Sequence, residues 1–285
     1  MPSTAVMWFR NDLRLEMNPA WASAAGYADT VIPLVVLDTT LLRSVGDFRR
    51  DLYLANVDRI ASDLSELGAT LSIAAGNPRQ LVPQICDETD ADVLVFNRTA
   101  SGFGRARDNA IVKHLTCETK TFWGTLVSEP GTVLTGAGTL SKVFTPFYNR
   151  WIKTDWPDSP NVVSQPAFGS IPRNLQADLP SYDAPPIEPG VVGAERALSA
   201  WLESVDDYRE TRDLPAVEGT SQLSAHLRFG TISPRHIYDV VGTTSPGREA
   251  FIRQLAWRDW YAHMLLQTPD TVSYTHLTLP TIYSV

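Results

Sequence analysis

The segment at 218–230, EGTSQLSAHLRFG, places hydroxyl side chains where the chain enters a predicted helix. Apolar residues repeat at helical spacing from Leu223 onward, and Thr220 and Ser221 come just before them. Hydroxyl oxygens at such a position cap a helix by accepting hydrogen bonds from its first, unpaired N–H groups. The same N–H groups also attract a phosphate, especially beside a glycine such as Gly219 that lets the backbone approach closely. The residues alone favour the cap and leave a phosphate site as the alternative.

A second stretch, the predicted helix at 248–267, carries polar and aromatic side chains on one stripe. Gln254, Trp257, Arg258 and Tyr261 stand at i, i+3, i+4 and i+7. A solvent-facing stripe rarely carries tryptophan with tyrosine, and a core stripe rarely carries glutamine with arginine. The mixture favours the wall of a pocket for a ligand that is both flat and polar. The alternative is a partly buried helix in which Arg258 pairs with a carboxylate.

The elements that precede these residues alternate between strands and helices. A long amphipathic helix is predicted at 48–67, and Gly68 ends it. Apolar strands separated by helices form parallel sheets covered on both faces. We therefore predict a doubly wound α/β domain over residues 1–126. Its predicted strands are 5–9, 30–37, 70–74, 92–96 and 120–123.

The turn after the first predicted strand reads RNDLRLEMNPAW and carries neither GxGxxG nor GxxxxGK[ST]. Dinucleotide or P-loop binding at that turn is therefore not supported. Arg10, Asp12 and Arg14 favour a cluster of ion pairs and hydrogen bonds that locks the loop. A role for these three side chains in binding a ligand is the weaker alternative.

The remaining chain divides into a connection and a helical part. Residues 127–190 are rich in proline and lack sustained periodicity, as expected of an interdomain linker. Within them, SKVFTPFYNRWIKTDW suits a strap that packs its aromatic side chains on a neighbouring domain. Residues 191–267 read as all-α, with one helix ending at Gly230 and another opening at Ser233 and Pro234.

Composition limits the class of protein. The 285 residues carry a formal net charge of −8, which argues against a uniformly basic surface but not against a local basic groove. Cys86 and Cys117 stand 31 positions apart and match no metal spacing, so neither a disulfide scaffold nor a metal site is expected. No apolar run is long enough to cross a membrane. We expect a cytoplasmic monomer without a membrane partner.

Four long motifs, in order, resemble those of the DNA photolyases and cryptochromes. MWFRNDLRLEMNPAW resembles the opening WFRxDLRLxDNPAL of that family, and SKVFTPFYNRW resembles KVFTPFxxxW. YRETRDLPAVEGTSQLSAHLRFGTISPR resembles YxxxRDxPxxxGTSxLSxxLxFGxxSPR, and FIRQLAWRDWY resembles FxxELxWREFY. The resemblance covers roughly residues 3–266. It implies an α/β antenna domain, a long linker and a helical domain that binds FAD.

The resemblance also implies a reaction and a partner. In photolyases, reduced FAD excited by blue light passes an electron to a cyclobutane pyrimidine dimer, the ring opens and the electron returns. The flavin supplies the chemistry, and the protein supplies binding, geometry and electrostatics. The substrate is UV-damaged DNA, and the lesion must leave the base stack to reach the flavin, because photolyases act on an extruded base.

The matching positions imply roles for individual residues. Arg212 matches an arginine near the DNA backbone, and Trp257 matches the tryptophan on which the extruded lesion packs. Gln254 occupies the position that hydrogen-bonds the lesion. The positions that match the FAD site are Tyr208, Thr220, Ser221, Gln222, Leu223, Ser224, Phe251 and Arg258.

Two departures from the family pattern bear on function. Many dimer photolyases have a glutamate where Gln254 stands, and glutamine there is more typical of cryptochromes and (6-4) photolyases. Because glutamine carries no charge, the type of lesion stays open. Ser101 replaces a glutamate that contacts a folate antenna in the motif WNRRYEPxxRxRD. The resemblance therefore leaves the identity of a second antenna chromophore open between folate and deazaflavin.

The end of the chain also departs from the family. The helical pattern stops at Gln267, and residues 268–285, TPDTVSYTHLTLPTIYSV, are threonine-rich and resemble the translated adapter tails of truncated reading frames. The flavin-ring residues and electron-relay tryptophans that the family carries further on have no counterpart, so no catalytic residue is assigned here. We therefore expect an N-terminal fragment with a non-native tail and an incomplete helical domain over 191–267.

Three functions follow as hypotheses. The first is a light-driven DNA repair flavoenzyme, a deoxyribodipyrimidine photolyase. The second is a cryptochrome, a photoreceptor that binds FAD and signals without repair, which Gln254 and the acidic balance favour. The third is a chain with no activity of its own, for which we expect weak or absent FAD binding.

Overall fold

A computed structural model describes residues 3–156 and 166–267. Its first half is built on a parallel sheet with the strand order β3-β2-β1-β4-β5. The order reverses between β1 and β4, as in doubly wound folds. The predicted fold class is confirmed, and each predicted strand is found within a few residues of its expected place. The strands are β1 Thr4–Phe9, β2 Thr30–Asp38, β3 Ser72–Gly76, β4 Val93–Asn97 and β5 Glu118–Phe122.

Helices cover both faces of the sheet. Alternate residues of each strand point to opposite faces, so Met7 lies in one core and Trp8 in the other. The Met7 core also contains side chains of α1 and α3, whereas the Trp8 core contains side chains of α4 and α5. The helices of this half are α1 Pro19–Tyr27, α2 Thr39–Ser44, α3 Asp47–Glu66, α4 Pro78–Glu88 and α5 Gly102–Val112.

The predicted linker contains more structure than its composition suggested. Helix α6, Phe144–Trp151, buries the aromatic face of the predicted strap. A two-residue strand, β6 (Ala167–Phe168), pairs in parallel with the start of β2 and so extends the sheet. The sequence pattern did not indicate this strand, because the pairing joins residues that are distant in sequence. Residues 157–165 of the linker lie outside the described residues.

The second half is helical, as predicted. Ser233 is the N-cap of α10 and Pro234 is its first residue, which confirms that start signal. The first helix of this half ends at Leu202 and is followed by short helical turns. The helices are α7 Gly190–Leu202, α8 Tyr208–Thr211, α9 Ser224–Phe229, α10 Pro234–Val241 and α11 Pro246–Gln267, with a 3-10 turn at Val205–Asp207.

Helix α9 begins later than its hydroxyl-rich approach predicted. Its first residue is Ser224, its N-cap is Leu223, and no side chain caps it. Gln222 has a φ of 54°, in the left-handed region, which a continuing right-handed helix does not allow. Thr220 and Ser221 therefore precede the helix without capping it. The cap expected at these two residues was wrong.

The domain limits of the sequence prediction, at residues 126 and 190, stay predictions. The helical core takes in Val127 and Val133 as well as the aromatic side chains of α6. The predicted tail at 268–285 lies outside the described residues. Across the described residues, no helix combines the length and the apolar character that crossing a membrane requires.

Candidate functional site

The loop after β1 is held by a buried polar cluster. Arg10 pairs with Asp108 at 2.6 Å, and the Asp12 carboxylate accepts hydrogen bonds from the Arg10 backbone N–H and from Asn97 Nδ2, both at 2.6 Å. The Arg10 guanidinium also lies 4.7 Å from the ring centre of Trp8. The predicted locking cluster is confirmed, although the partner of Arg10 is an aspartate from α5 rather than its sequence neighbour.

Arg14 joins this loop to the helical half. Its Nη1 donates to the Gly230 carbonyl oxygen at 2.8 Å, and its Nη2 donates to those of Gly124 at 2.6 Å and Met17 at 2.9 Å. Burial lowers the pKa of Arg14 to about 10, although the nearby Asp12 charge opposes that shift. Within the predicted cluster, Arg14 therefore contributes hydrogen bonds to carbonyl oxygens rather than a direct ion pair.

The end of α9 meets the same loop through its backbone. The Leu13 N–H donates to the Phe229 carbonyl oxygen at 3.0 Å. Gly230 has a φ of 68°, and a Cβ at this position would collide with the Asn11 carbonyl oxygen. Glycine is therefore required here for two reasons. It adopts the left-handed conformation that ends α9, and it leaves room for the backbone of the loop after β1. These contacts fix the C-terminal end of α9 against the α/β half.

The segment at 219–224 presents its hydroxyl groups outward. Thr220 is exposed and accepts a hydrogen bond from Gln222 Nε2 at 2.8 Å. Ser221 Oγ accepts a long hydrogen bond from the Leu223 N–H at 3.4 Å. A Cβ on Gly219 would lie 2.7 Å from Thr211, so only glycine allows this approach. Ser224 is exposed at the start of α9.

Beneath that segment, the predicted cofactor residues form a compact aromatic cluster. Tyr208 and Phe251 are buried, with ring centres 5.5 Å apart at nearly right angles, and Leu223 lies in the same core. Burial raises the pKa of Tyr208. Arg212 lies over the Tyr208 ring at 5.9 Å and remains partly exposed beside Asp213. The structure thus brings Tyr208, Phe251, Leu223 and Arg212 together.

The predicted stripe on α11 does not face a single environment. Gln254 is exposed and Tyr261 is 57% exposed. Trp257 is half-buried, and its ring stacks on that of Phe144 with centres 3.7 Å apart and planes within 8°. Arg253, on the same helix, adds a positive charge to this surface, since its guanidinium lies 4.9 Å from the Phe144 ring centre. The result is an aromatic and cationic patch beside an exposed amide.

Arg258 points inward from the same stripe. It donates to the carbonyl oxygens of Thr125 and, at 3.2 Å, of Leu227. Burial lowers the pKa of Arg258, whereas the adjacent Asp259 charge acts in the opposite direction. Carbonyl oxygens of the segment after β5 and of α9 thus take the place of the carboxylate partner in the alternative interpretation. Arg258 binds the elements around the site to one another.

A buried carboxylate that the sequence patterns did not single out organises the back of α11. The Asp259 carboxylate accepts hydrogen bonds from Trp151 Nε1 at 2.9 Å, from the Ser128 N–H at 2.7 Å and from Ser128 Oγ at 2.9 Å. Burial raises the pKa of Asp259, although these hydrogen bonds oppose the shift. The sequence did indicate an unusual residue here, because the charged Asp259 falls on the apolar face of α11 that Ile252 and Leu255 define.

Ser101 also receives a structural explanation. It is the N-cap of α5, and its Oγ accepts a hydrogen bond from the Gly104 N–H at 3.2 Å. Among residues 3–156 and 166–267, no group of three or more histidine, cysteine, aspartate or glutamate side chains is arranged to hold a metal.

Comparison with known proteins identifies the family. The family model described as DNA photolyase matches residues 5–165, which is more than half of the chain. The chain belongs to the DNA photolyase family. A deoxyribodipyrimidine photo-lyase from Salmonella typhimurium is 31% identical over 93% of the chain and 61% of its own length. The chain thus spans about three fifths of the length of such curated relatives.

Two solved structures of the DNA photolyase family are similar in fold. A bacterial class III photolyase from Agrobacterium tumefaciens has a TM-score of 0.77 and 26% identity, over 95% of this chain and 60% of its own. An archaeal photolyase from Sulfolobus tokodaii, solved with two FAD molecules, has a TM-score of 0.77 and 25% identity, over 93% of this chain and 60% of its own. The parallel sheet and the helices that follow it are therefore the family fold.

Proposed function

We propose that this member of the DNA photolyase family serves light-driven repair of UV-damaged DNA, as a deoxyribodipyrimidine photolyase that uses FAD. The match to the family model carries the proposal. Because the chain spans about three fifths of its relatives' length, the activity of the whole enzyme is part of the proposal. The grouping of the predicted site residues around α11 supports it.

The surface at 219–224 fits the phosphate portion of FAD. Thr220, Ser221 and Ser224 supply hydroxyl groups at or near solvent, and the segment contains no charged side chain. Gly219 keeps the backbone close to Thr211, and the left-handed Gln222 turns the chain before α9. Hydroxyl and backbone N–H donors in such a turn bind phosphate oxygens. The proposed contacts to the pyrophosphate are therefore made by residues 220–224.

The buried residues around that surface have supporting roles. Reduced FAD, when bound and excited by light, supplies the electron that opens the dimer. Tyr208, Leu223 and Phe251 pack together and form a rigid floor under the proposed phosphate site. Arg258 holds α9 to the segment after β5 through two carbonyl oxygens, so we propose that it positions the site.

The proposed DNA surface combines the aromatic patch with exposed polar groups. Trp257 offers an aromatic ring for base stacking, and its rigidity comes from the Phe144 ring behind it. Gln254 is exposed one helical turn away and can both donate to and accept from a base edge. Arg212 is partly exposed and would neutralise a DNA phosphate. The three residues together suit an extruded lesion.

We infer that any second, light-harvesting chromophore lies at the crevice where the strand order reverses, between the carboxyl ends of β1 and β4. Arg10, with its aromatic neighbours Trp8 and Phe96, borders this crevice. The absorbance spectrum of the purified protein would distinguish folate from deazaflavin. The two free thiols fit a reducing compartment, and we propose a cytoplasmic monomer.

A cryptochrome-type photoreceptor is the second candidate. Gln254 is the observation that favours it, since an exposed amide at this position cannot place a negative charge beside a lesion. Repair and signalling share the fold and the proposed FAD surface. The two candidates therefore differ in what happens to damaged DNA under light.

The test has two stages. The 285-residue chain is first mixed with FAD and passed through a desalting column, and we expect weak retention because the chain spans only about three fifths of its relatives' length. Thymine-dimer DNA is then illuminated with the chain and reduced FAD, and with an enzyme that includes the relatives' remaining length. Loss of dimers in light alone supports a photolyase. Flavin photoreduction without dimer loss supports the photoreceptor. The absence of both dimer loss and flavin photoreduction would contradict both candidate functions.

A further inference from the structure

Two cysteines from distant parts of the sequence meet on one face of the sheet. Cys86, near the end of α4, is buried in the core that contains Trp8 and Leu94. Cys117 precedes β5, is half-buried, and packs against the same core. The two side chains are near enough for each to shift the pKa of the other, and both are free thiols. The sequence spacing gave no sign of this contact.

The residues next to the two thiols hold the segments together. Thr116 Oγ1 donates to Asp87 Oδ1 at 2.6 Å, so the residue before Cys117 is bound to the residue after Cys86. The turn after α4 is closed by a hydrogen bond from the Ala91 N–H to the Cys86 carbonyl oxygen at 3.0 Å. The sulfur atoms are therefore kept adjacent by the backbone and by a side-chain clamp.

The two thiols are chemically unequal. Cys117 has the more exposed sulfur, and the hydrogen bond from Cys86 lowers its pKa to about 7, although burial and the Asp87 charge oppose this shift. The pKa of Cys86 is raised, because its thiol donates that hydrogen bond and because it is buried. Near neutral pH, Cys117 is the more nucleophilic partner and Cys86 keeps its proton.

We propose that Cys86 and Cys117 are a peroxide-sensitive thiol pair that closes into a reversible disulfide between α4 and the segment leading into β5. The Cys117 thiolate attacks one oxygen of hydrogen peroxide, which forms a sulfenic acid and releases hydroxide. The Cys86 sulfur then attacks the Cys117 sulfur, its proton leaves with the departing oxygen as water, and the disulfide forms. Two thiols and one peroxide thus give one disulfide and two waters.

The bond would tie the edge strand of the sheet to a helix on its face. Among the described strands, β5 is an edge strand. It pairs with β4 on one side, and no described strand pairs with its other side. A covalent link at its start limits separation of this strand from the sheet. Oxidation is therefore expected to raise the thermal midpoint of the 285-residue chain, and a thiol reductant is expected to restore the original midpoint.

The decisive experiment maps the bond in the wild-type chain. The protein is treated with hydrogen peroxide at neutral pH, free thiols are alkylated, and tryptic peptides are analysed by mass spectrometry. Trypsin separates the cysteines into peptides 80–98 and 114–120. We expect these peptides to be linked, with a mass about 2 Da below their sum, and to separate on reduction. Stable oxidation of Cys117 without linkage, or linkage between two copies of 114–120, would overturn the proposal.

Variants assign the two roles independently of the flavin. In Cys86→Ser, we expect peroxide to leave a sulfenic acid on Cys117 that dimedone traps, whereas in Cys117→Ser we expect Cys86 to stay unmodified. Thr116→Val should lower the yield of linked peptide severalfold, because it removes the clamp to Asp87. Thr132→Val, which removes a hydroxyl contact far from the thiols, is the matched control. Equal yields in these two valine variants would contradict the role of the clamp.

Discussion

At the scale of single residues, Asp259 shows how one buried charge fixes the path of a linker. Its carboxylate faces only donors, from Trp151, from Ser128 and from the Val127 backbone N–H at 3.2 Å. An amide of the same shape would point an N–H group at one of these donors, so asparagine is a poor replacement. The charge is costly to bury, and this cost is offset by several hydrogen bonds to the charged form.

His263 gives this network a dependence on pH. The ring is buried against Phe147, its Nδ1 has no hydrogen-bond partner among the described residues, and burial lowers its pKa to about 4. The unfolded chain therefore binds a proton at a higher pH than the folded chain does. Stability is full above about pH 6.5 and is lost as the pH falls toward 4, by about 2–3 kcal/mol. Urea unfolding across this range measures the effect.

The matched variant for that prediction is His263→Leu, whose stability should lose this part of the pH dependence. Asp259 has a raised pKa, so its contribution has the opposite sign and must be subtracted. The difference between the wild-type and variant profiles isolates the histidine. Parallel profiles over the whole range would contradict the assignment.

Trp257 is expected to act on the lesion more than on the DNA backbone. Trp257→Ala removes a stacking surface, and base stacking on an aromatic ring contributes about 1–3 kcal/mol. We expect at least about a fivefold weaker binding of dimer-containing oligonucleotides, with little change for undamaged DNA. Fluorescence anisotropy measures both. Tyr261→Ala, in the exposed neighbouring ring, is the control, and an equal loss for both DNAs would exclude the role.

At the scale of elements, sequence patterns predicted the strands and helices whose formation depends mainly on neighbouring residues. The apolar strands, the Ser233 cap and most of α11 follow from residue types and spacing. The start of α9 did not, because the chain takes a left-handed conformation at Gln222, which this residue type rarely adopts. The pairing of β6 with β2 also escaped prediction, since it depends on chain closure over a long separation.

The sequence predicted which residues belong to the candidate site but not which side chains and carbonyl groups they contact. The spacing on α11 placed Gln254, Trp257 and Arg258 within one turn of each other. It did not reveal that Phe144 stacks on Trp257 or that carbonyl oxygens bind Arg258. Both partners come from other elements, and only tertiary packing decides them.

The close approach at the end of α9 leads to a prediction about an element junction. Gly230→Ala adds a Cβ that must displace the Asn11 carbonyl oxygen and also strains a positive φ. Gly68, at the end of α3, has a φ of 78°, but a Cβ added there would meet no atom within 4 Å, so Gly68→Ala is the matched control for strain alone. We expect the Gly230 variant to lose about 1–3 kcal/mol more of its unfolding free energy than the control. Equal losses in urea would show that the backbone contact is unimportant.

At the scale of the whole molecule, the two halves meet through arginines that bind carbonyl oxygens. Arg14 connects the loop after β1 to Gly230, and Arg258 connects α11 to Thr125 and α9. Arg235 Nε donates to the Val127 carbonyl oxygen at 2.8 Å in the same region. Such contacts are directional, so they set the angle between the halves as well as adding stability.

This arrangement predicts cooperative unfolding that depends on Arg14. In Arg14→Met, a side chain of similar length fills the space, but three carbonyl oxygens lose a charged donor, at a cost of about 3 kcal/mol or more. We expect the wild-type chain to unfold in one transition by circular dichroism and tryptophan fluorescence. The variant should unfold in two, with the helical half first, because its contacts to the α/β half are weakened. Arg173→Met, at an exposed position of the linker, should leave one transition. A single, merely shifted transition in Arg14→Met would mean that the apolar contacts alone couple the halves.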